Sequence, residues 1–516
     1  MPSLSPHQVE PRPLIVVSNR EPYLHRYADD GSIRESLTTG GLSIALDALM
    51  RDRGGVWIAH GPGEADRAVV DARDRVQVPL DNPAYALRRV WLSSDEERRY
   101  YAGFSNEGLW PLCHIVHVRP VFRSEDWAEY RAINARFADA VAGELESPDT
   151  PVFIQDYHLA LVAEELRKRA PYAKTAFFWH IPWPHPDRLR MCPWRREIMQ
   201  GLLANDLLAF QLERDRQNFL YGVRLELSAD VDRGIVRYRG SRTHVIAEPI
   251  GVDFNRISKL ASDSGLAAET ARLRAELRLD DSRERIVGVG VDRLDYTKGI
   301  PERLDAIDRL LEANPGLRSK LVFVQIGVPS RSKLETYAAI EREIDERVAA
   351  INTRYGSGPD SGPIRYRKTA LKGRRLVALY HLANFCIVSS LHDGMNLVAK
   401  EFVASRDDLD GVLVLSEMTG AAHELTDALI INPYDAEGFT QALQRAIDMP
   451  ADERRRRMRS LRRVVAGHDV FAWASDILGG LDQIGLEPVA VRPRPVRHDG
   501  FARFQGFGRV ATDALR

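Results

Sequence analysis

The segment VDRLDYTKG carries Arg293 and Lys298 where an apolar run, RIVGVGVDR, gives way to a loop and then to a helix start. Arginine offers a planar fork and lysine a point charge, so the pair suits a diphosphate. Two further arginines, Arg20 in SNR and Arg331 in PSR, each follow an apolar run, and they could close on a phosphate from both sides of a cleft. Asp156 in QDYH and His180 in FWHIPWP end two more such runs. They could hydrogen-bond sugar hydroxyls or act as an acid/base pair. In LHDGMNLVAKE, an Asp-Gly turn opens a helix that places Glu401 on one face with Leu397 and Val398. The free N–H groups of such a helix start favour an anionic ligand. YYAGFSNEGLWP supplies Tyr101 and Trp110, whose ring faces could line a sugar site. In TTGGL, Gly40 and Gly41 would let backbone approach a ligand closely. Each feature alone has an ordinary reading: cations on a solvated loop, aromatics in a core, a salt-bridged glutamate.

The elements that must position these residues repeat one theme. LIVVSN, PVFIQDYH, KTAFFWHIP, DLLAFQ and THVIAEPIG are apolar runs ending in polar or aromatic residues, with helical segments such as LALVAEELRKR between them. A second series follows residue 252: RIVGVGVDR, KLVFVQIGV, IRYRKTAL, NFCIVSS, GVLVLSE and ALIINP. Between its first two members, PERLDAIDRLLEAN puts Leu304, Ile307, Leu310 and Leu311 on one helical stripe behind Pro301. The fold class is therefore α/β, as two doubly wound domains in tandem facing a cleft. The domains are expected at 14–252 and 253–487, after a flexible lead (1–13) and before a mobile tail (488–516). The last helix is expected to pack back on the first domain.

Other chemistries are disfavoured. The 516 residues carry a net charge of −1, and no apolar run is long enough to cross a bilayer. Neither nucleic acid nor membrane is an expected partner. The N-terminus lacks an apolar signal core, which points to a cytoplasmic protein. Cys113, Cys192 and Cys386 are widely spaced and suit a reducing compartment. There is no GxxxxGK[ST] loop, His423-Glu424 lacks the second histidine of a metalloprotease motif, and GVGVDR is short of glycines for a dinucleotide fingerprint. The acidic DLD (408–410) reads as a charged loop and RRRRMRSLRR (454–463) as a solvated helix face.

Taken in order, SNR, GG, QDYH, FWHIPWP, RLDYTKG, PSR and DGMNLVAKE resemble the trehalose-6-phosphate synthases, retaining nucleotide-sugar glycosyltransferases with two Rossmann-like domains in the GT-B arrangement. The resemblance runs from about residue 14 to about 480. It implies that Arg293 and Lys298 hold the donor diphosphate and that Glu401 binds the donor ribose hydroxyls. Asp393 and the backbone of Gly394, Met395, Asn396, Leu397 and Val398 would contact the donor sugar and phosphates. His180 would touch the transferred glucose, and Gly41 with Gly40 would let the first loop close over the donor. Arg20, Tyr101, Trp110, Asp156 and Arg331 would form the acceptor site, the two arginines gripping a 6-phosphate. Arg293, Lys298, His180 and Asp156 would carry the catalytic work. It further implies small-molecule substrates, no metal and no cofactor, the nucleoside diphosphate glucose being a co-substrate; a homo-oligomer and the donor base stay open. Departures are His60 in WIAHG, where Trp is common, His392, where Arg is common, Trp183, CPWRR (192–196) and a long loop after Arg20. They keep a sister enzyme with another phosphorylated acceptor, such as glycerol 3-phosphate, in view beside a catalytically silent binding protein.

Overall fold

The computed structural model describes residues 13–38, 41–279, 285–332, 334–356 and 362–485. Gly40, the tail and all of the lead but Pro13 lie outside these residues. The first half contributes β1 (Leu14–Val17), β2 (Tyr23–Tyr27), β3 (Ile33–Leu37), β4 (Gly55–His60), β5 (Arg75–Val78), β6 (Tyr85–Val90), β7 (Pro151–Gln155), β8 (Lys174–Trp179), β9 (Leu207–Phe210), β10 (Asp230–Asp232), β11 (Ile235–Tyr238) and β12 (Ser241–Ala247). The second contributes β13 (Ile286–Arg293), β14 (Leu321–Val328), β15 (Ile364–Arg367), β16 (Phe385–Val388), β17 (Val412–Ser416) and β18 (Leu429–Ile431).

The second sheet has the order β15-β14-β13-β16-β17-β18 and is parallel throughout. This is the doubly wound order, and the direction in which successive strands are added reverses between β13 and β16. The first sheet repeats it as β6-β4-β1-β7-β8-β9, with a switch between β1 and β7. β5 and the β10–β12 meander extend its edges, partly antiparallel. Every residue of β1, β7, β8, β16 and β17 is buried. Their near-continuous apolar composition follows from helices covering both faces. Side chains alternate between layers: Leu14 and Val16 join one core, Ile15 and Val17 another.

The glycines of GVGVDR serve packing. A Cβ at Gly290 would lie 2.2 Å from the Arg303 guanidinium, and one at Gly288 2.4 Å from the Phe385 ring. That clearance admits a buried Arg303–Asp292 pair at 2.6 Å, to which Gln325 also bonds. The segment after Arg20, expected as a loop, is instead the antiparallel β2–β3 hairpin turned at Asp30-Gly31. Its His25 is buried against Asp66, which also receives Arg89 at 2.8 Å.

The last helix among the described residues, Val470–Gln483, lies on the first sheet. Trp473 is fully buried against Phe153 and Phe178, and Lys174 pairs with Asp482 at 2.9 Å. One apolar core thus runs from the first sheet through Trp473 and Ile250 into the second. Trp473→Ala should cost about 3–5 kcal/mol, read as a lower midpoint in urea unfolding; an unchanged midpoint would show that this helix does not hold the halves together.

Candidate active site

The loops that leave β1, β7, β13 and β16 meet at the two switch points, and those after β8 and β14 flank them. A 12-residue π-helix, Arg98–Leu109, faces the first switch point. Its wider turn is closed by the Trp110 N–H donating to the Ser105 carbonyl. Tyr101 lies on it and Trp110 follows it, so one irregular segment presents both rings.

Arg20, leaving β1, donates to the Tyr101 hydroxyl at 2.7 Å. Arg331, leaving β14 of the other sheet, donates to Tyr337 at 2.6 Å, Tyr157 at 3.3 Å and Asp295 at 3.3 Å. Its guanidinium covers the Trp110 ring at 4.3 Å, and that of Arg293 stands 5.6 Å from the same ring. Burial opposes ionisation of Tyr101, yet Arg331 and Arg20 together hold its phenol down to about 7. Arginines from the two halves therefore share one phenol, a geometry that can accept a phosphate between them. Three non-glycine residues here have left-handed backbones: Asp156 (φ 73°), Arg331 (φ 52°) and Asn396 (φ 67°). Such strain is concentrated where side-chain direction matters more than backbone comfort.

At the second switch point, Lys298 Nζ lies 2.5 Å from an Asp393 carboxylate oxygen. Burial works against the Asp393 charge, but Lys298 holds the carboxyl well below its usual range. The same carboxylate accepts from Ser390 and Asn396, and Asn396 caps the helix Leu397–Ser405 by accepting from the Ala399 N–H. This helix buries Ala399, Phe402 and Val403, while Leu397, Val398 and Glu401 form a half-buried face on its other side. Burial pushes the Glu401 carboxyl up to about 7, with the Tyr380 hydroxyl pulling the other way. Gly41 is the first residue of the helix Gly41–Arg53.

The two halves meet at Gly394, where a Cβ would come within 2.2 Å of the His180 carbonyl oxygen. Beside this contact, the Ile115 N–H of the first half donates to His392 Nδ1 at 3.2 Å, and His114 meets the His392 ring edge-on at 6.0 Å. His392 had only the standing of an unusual residue in the sequence; its role as a bridge between halves needed the fold.

Asp156 and His180 come together, but not as an acid/base pair. Asp156 accepts from the His180 backbone N–H at 3.2 Å. The imidazole contacts Gln155 through Nε2 (2.8 Å) and Gln211 through Nδ1 (3.5 Å). Burial lowers the His180 pKa to about 3, so the ring is neutral, and raises that of Asp156 to about 6. A neutral imidazole held by amides positions a ligand rather than relaying its proton. Gln155, Tyr157 and Gln211 lie at the polar ends of the runs without a role legible in the sequence, and Arg303 gave no signal. Arg303 donates to Ser389, which donates to the Gly299 carbonyl below the Lys298 loop.

Two Rossmann-like halves, with cations and a capped helix start at one switch point and paired arginines at the other, define a nucleotide-sugar glycosyltransferase of GT-B architecture. The chain belongs to glycosyltransferase family 20, whose model matches residues 12–483. It is 41% identical over 477 residues to a trehalose-6-phosphate synthase of Mycobacterium ulcerans, covering 90% of this chain and 93% of that one. It is 40% identical over 480 residues to that of Mycolicibacterium smegmatis, covering 91% and 92%. Among solved structures, it is similar to an E. coli protein bound with UDP-2-fluoro glucose (TM-score 0.80, 32% identity, 92% and 100% coverage). A Burkholderia xenovorans trehalose-phosphate synthase in complex with glucose-6-phosphate is similar too (TM-score 0.80, 32% identity, 91% and 100%).

Gly394→Ala should force the two halves apart at His180. The expected outcome is a fall in kcat/KM of about 100-fold with an unchanged circular dichroism spectrum; wild-type turnover would mean that this contact does not set the geometry.

Proposed function

We propose that this enzyme transfers glucose from a nucleoside diphosphate glucose to glucose 6-phosphate with retention, giving α,α-trehalose 6-phosphate. The observation that carries the reading is the pair Arg20 and Arg331, one from each half, converging on Tyr101 beside Trp110. It is a dianion grip that exists only with the cleft assembled. The relatives at 40–41% identity are named for the same reaction, and similar structures carry a UDP-glucose analogue and glucose-6-phosphate.

In this reading the first half (14–252) binds the acceptor and the second (253–487) the donor. Arg293 and Lys298 take the diphosphate, with the helix start at Leu397 adding backbone N–H groups. Gly41, with Gly40, lets the first loop close over the donor. The acceptor hydroxyl attacks the anomeric carbon from the face the diphosphate leaves. The bond to the diphosphate oxygen breaks, and that oxygen takes the hydroxyl proton. The chain's own part is positioning by His180, Asp156 and Trp110, and stabilisation of the leaving charge by Arg293 and Lys298. Those cations do work that a metal does elsewhere, and the reaction so written uses no cofactor.

A second acceptor remains a specific alternative because of His60. It lines a cavity of about 410 Å³ together with Arg20, Tyr101 and the hairpin residues Leu24 and Arg26. Incubating the enzyme with UDP-, GDP- and ADP-glucose, each against glucose 6-phosphate and glycerol 3-phosphate, separates the readings. An α,α-linked disaccharide phosphate supports the first; product from glycerol 3-phosphate alone supports the second.

Arg331→Ala should raise the acceptor KM about 10- to 100-fold, the loss of a charge-assisted contact of roughly 1.5–3 kcal/mol, with donor affinity unchanged. Wild-type acceptor kinetics would remove Arg331 from the phosphate grip. Donor binding should also depend on pH through Glu401. Ribose hydroxyls donate to its carboxylate, so the charged form binds, and burial leaves that form half-populated near pH 7 in the free enzyme. Donor affinity should therefore rise with pH, from about tenfold below its plateau at pH 6 to that plateau above pH 8. Glu401→Gln should abolish this rise, and calorimetry at three pH values measures it.

A further inference from the structure

The chain crosses between the sheets after β12 through residues 248–253, and returns through 467–470 ahead of its last helix. The crossings touch. The Val470 N–H donates to the Val252 carbonyl at 3.3 Å, and a Cβ at Gly251 would stand 2.4 Å from the His468 carbonyl oxygen. Only glycine tolerates that approach. Lys400 fixes the first crossing by donating to the Ile250 carbonyl at 2.8 Å.

At this junction His468 Nε2 faces the Glu248 carboxylate at 3.1 Å and the Pro249 carbonyl at 2.9 Å. Asp476, from the second turn of the last helix, brings another carboxylate. The ligand atoms of Glu248, His468 and Asp476 lie within 4.8 Å of one another. Two segments thus bring three oxygen acceptors, the Glu248 and Asp476 carboxylates and the Pro249 carbonyl, around the imidazole carried by a third, and its Nε2 can offer Glu248 and Pro249 a single proton at most. Acceptors outnumber donors, and a cation satisfies all of them at once. One imidazole nitrogen, two carboxylates and a carbonyl or water make an N/O set of the kind that holds Zn²⁺. Bonds of about 2.0–2.2 Å in a tetrahedron place ligand atoms roughly 3.3–3.5 Å apart, so modest side-chain rotations would gather them. Glu248 and His468 are half-buried and Asp476 is exposed, which leaves a path for entry.

We propose that Glu248, His468 and Asp476 form a binding site for a divalent cation of the Zn²⁺ type that clamps the two crossings between the halves. The cation has no part in glucosyl transfer; it ties the hinge about which the halves would open.

Titrating Zn²⁺ into the full-length chain by calorimetry tests this. One Zn²⁺ per chain is expected, with affinity falling about tenfold or more in H468Q and in D476N. Asp476 is exposed, so D476N should keep the fold, checked by an unchanged melting temperature in chelator. Zinc K-edge absorption should show nitrogen and oxygen donors without sulfur, separating the site from Cys113, Cys192 and Cys386. Absence of stoichiometric binding, wild-type affinity in both variants, or sulfur in the coordination shell would each overturn the proposal.

Discussion

The approach of Gly394 to the His180 carbonyl is the constraint on which the cleft depends. It brings backbone of the second half against backbone of the first with no side chain between them. That spacing lets Arg331 reach Trp110 and Tyr157 of the first half, and lets Ile115 donate to His392 of the second. A methyl group at position 394 would lengthen all of these contacts together. The site is therefore a property of two sheets held at one distance, rather than of either sheet.

Electrostatics within the cleft follow from that closeness. Arg20 and Arg331 lower the phenol of Tyr101, whereas His180, with two amides at its ring, is made neutral by burial. Asp393 and Lys298 pair in the second half, and burial keeps the Glu401 carboxyl raised against the pull of the Tyr380 hydroxyl. Charge is thus paired where the backbone must be fixed and left under-compensated where a ligand would supply the balance. The left-handed backbones at Asp156, Arg331 and Asn396 are tolerated because hydrogen bonds on both sides overdetermine them.

Much of this fold was legible in the chain. Apolar runs such as LIVV, KTAFFW and VLVLS announce fully buried parallel strands, because a strand covered on both faces has no polar side to reveal. Arg20, Asp156, His180, Arg293 and Arg331 stood out as polar residues ending or following such runs, and Asp393 as the start of an Asp-Gly turn. The β2–β3 hairpin was missed, although Asp30-Gly31 between two short segments rich in β-formers was the available signal. The π-helix left no signal, since its residues have ordinary helical spacing and only the i to i−5 bonds distinguish it. The roles of Gln155, Gln211 and Arg303 were illegible for another reason: each acts through a partner distant in sequence.

The sequence by itself determined which residues end the strands, which helix starts are free to meet an anion, and hence the α/β class and the family. Local preference and periodicity are enough for that, because they concern groups a few residues apart. Tertiary structure alone decided that His180 is neutral and bonded to amides instead of to Asp156, that Lys298 is paired with Asp393, and that arginines some 300 residues apart share Tyr101. Those outcomes depend on burial and on distances between separate segments, and neither quantity exists until the two sheets have closed on each other.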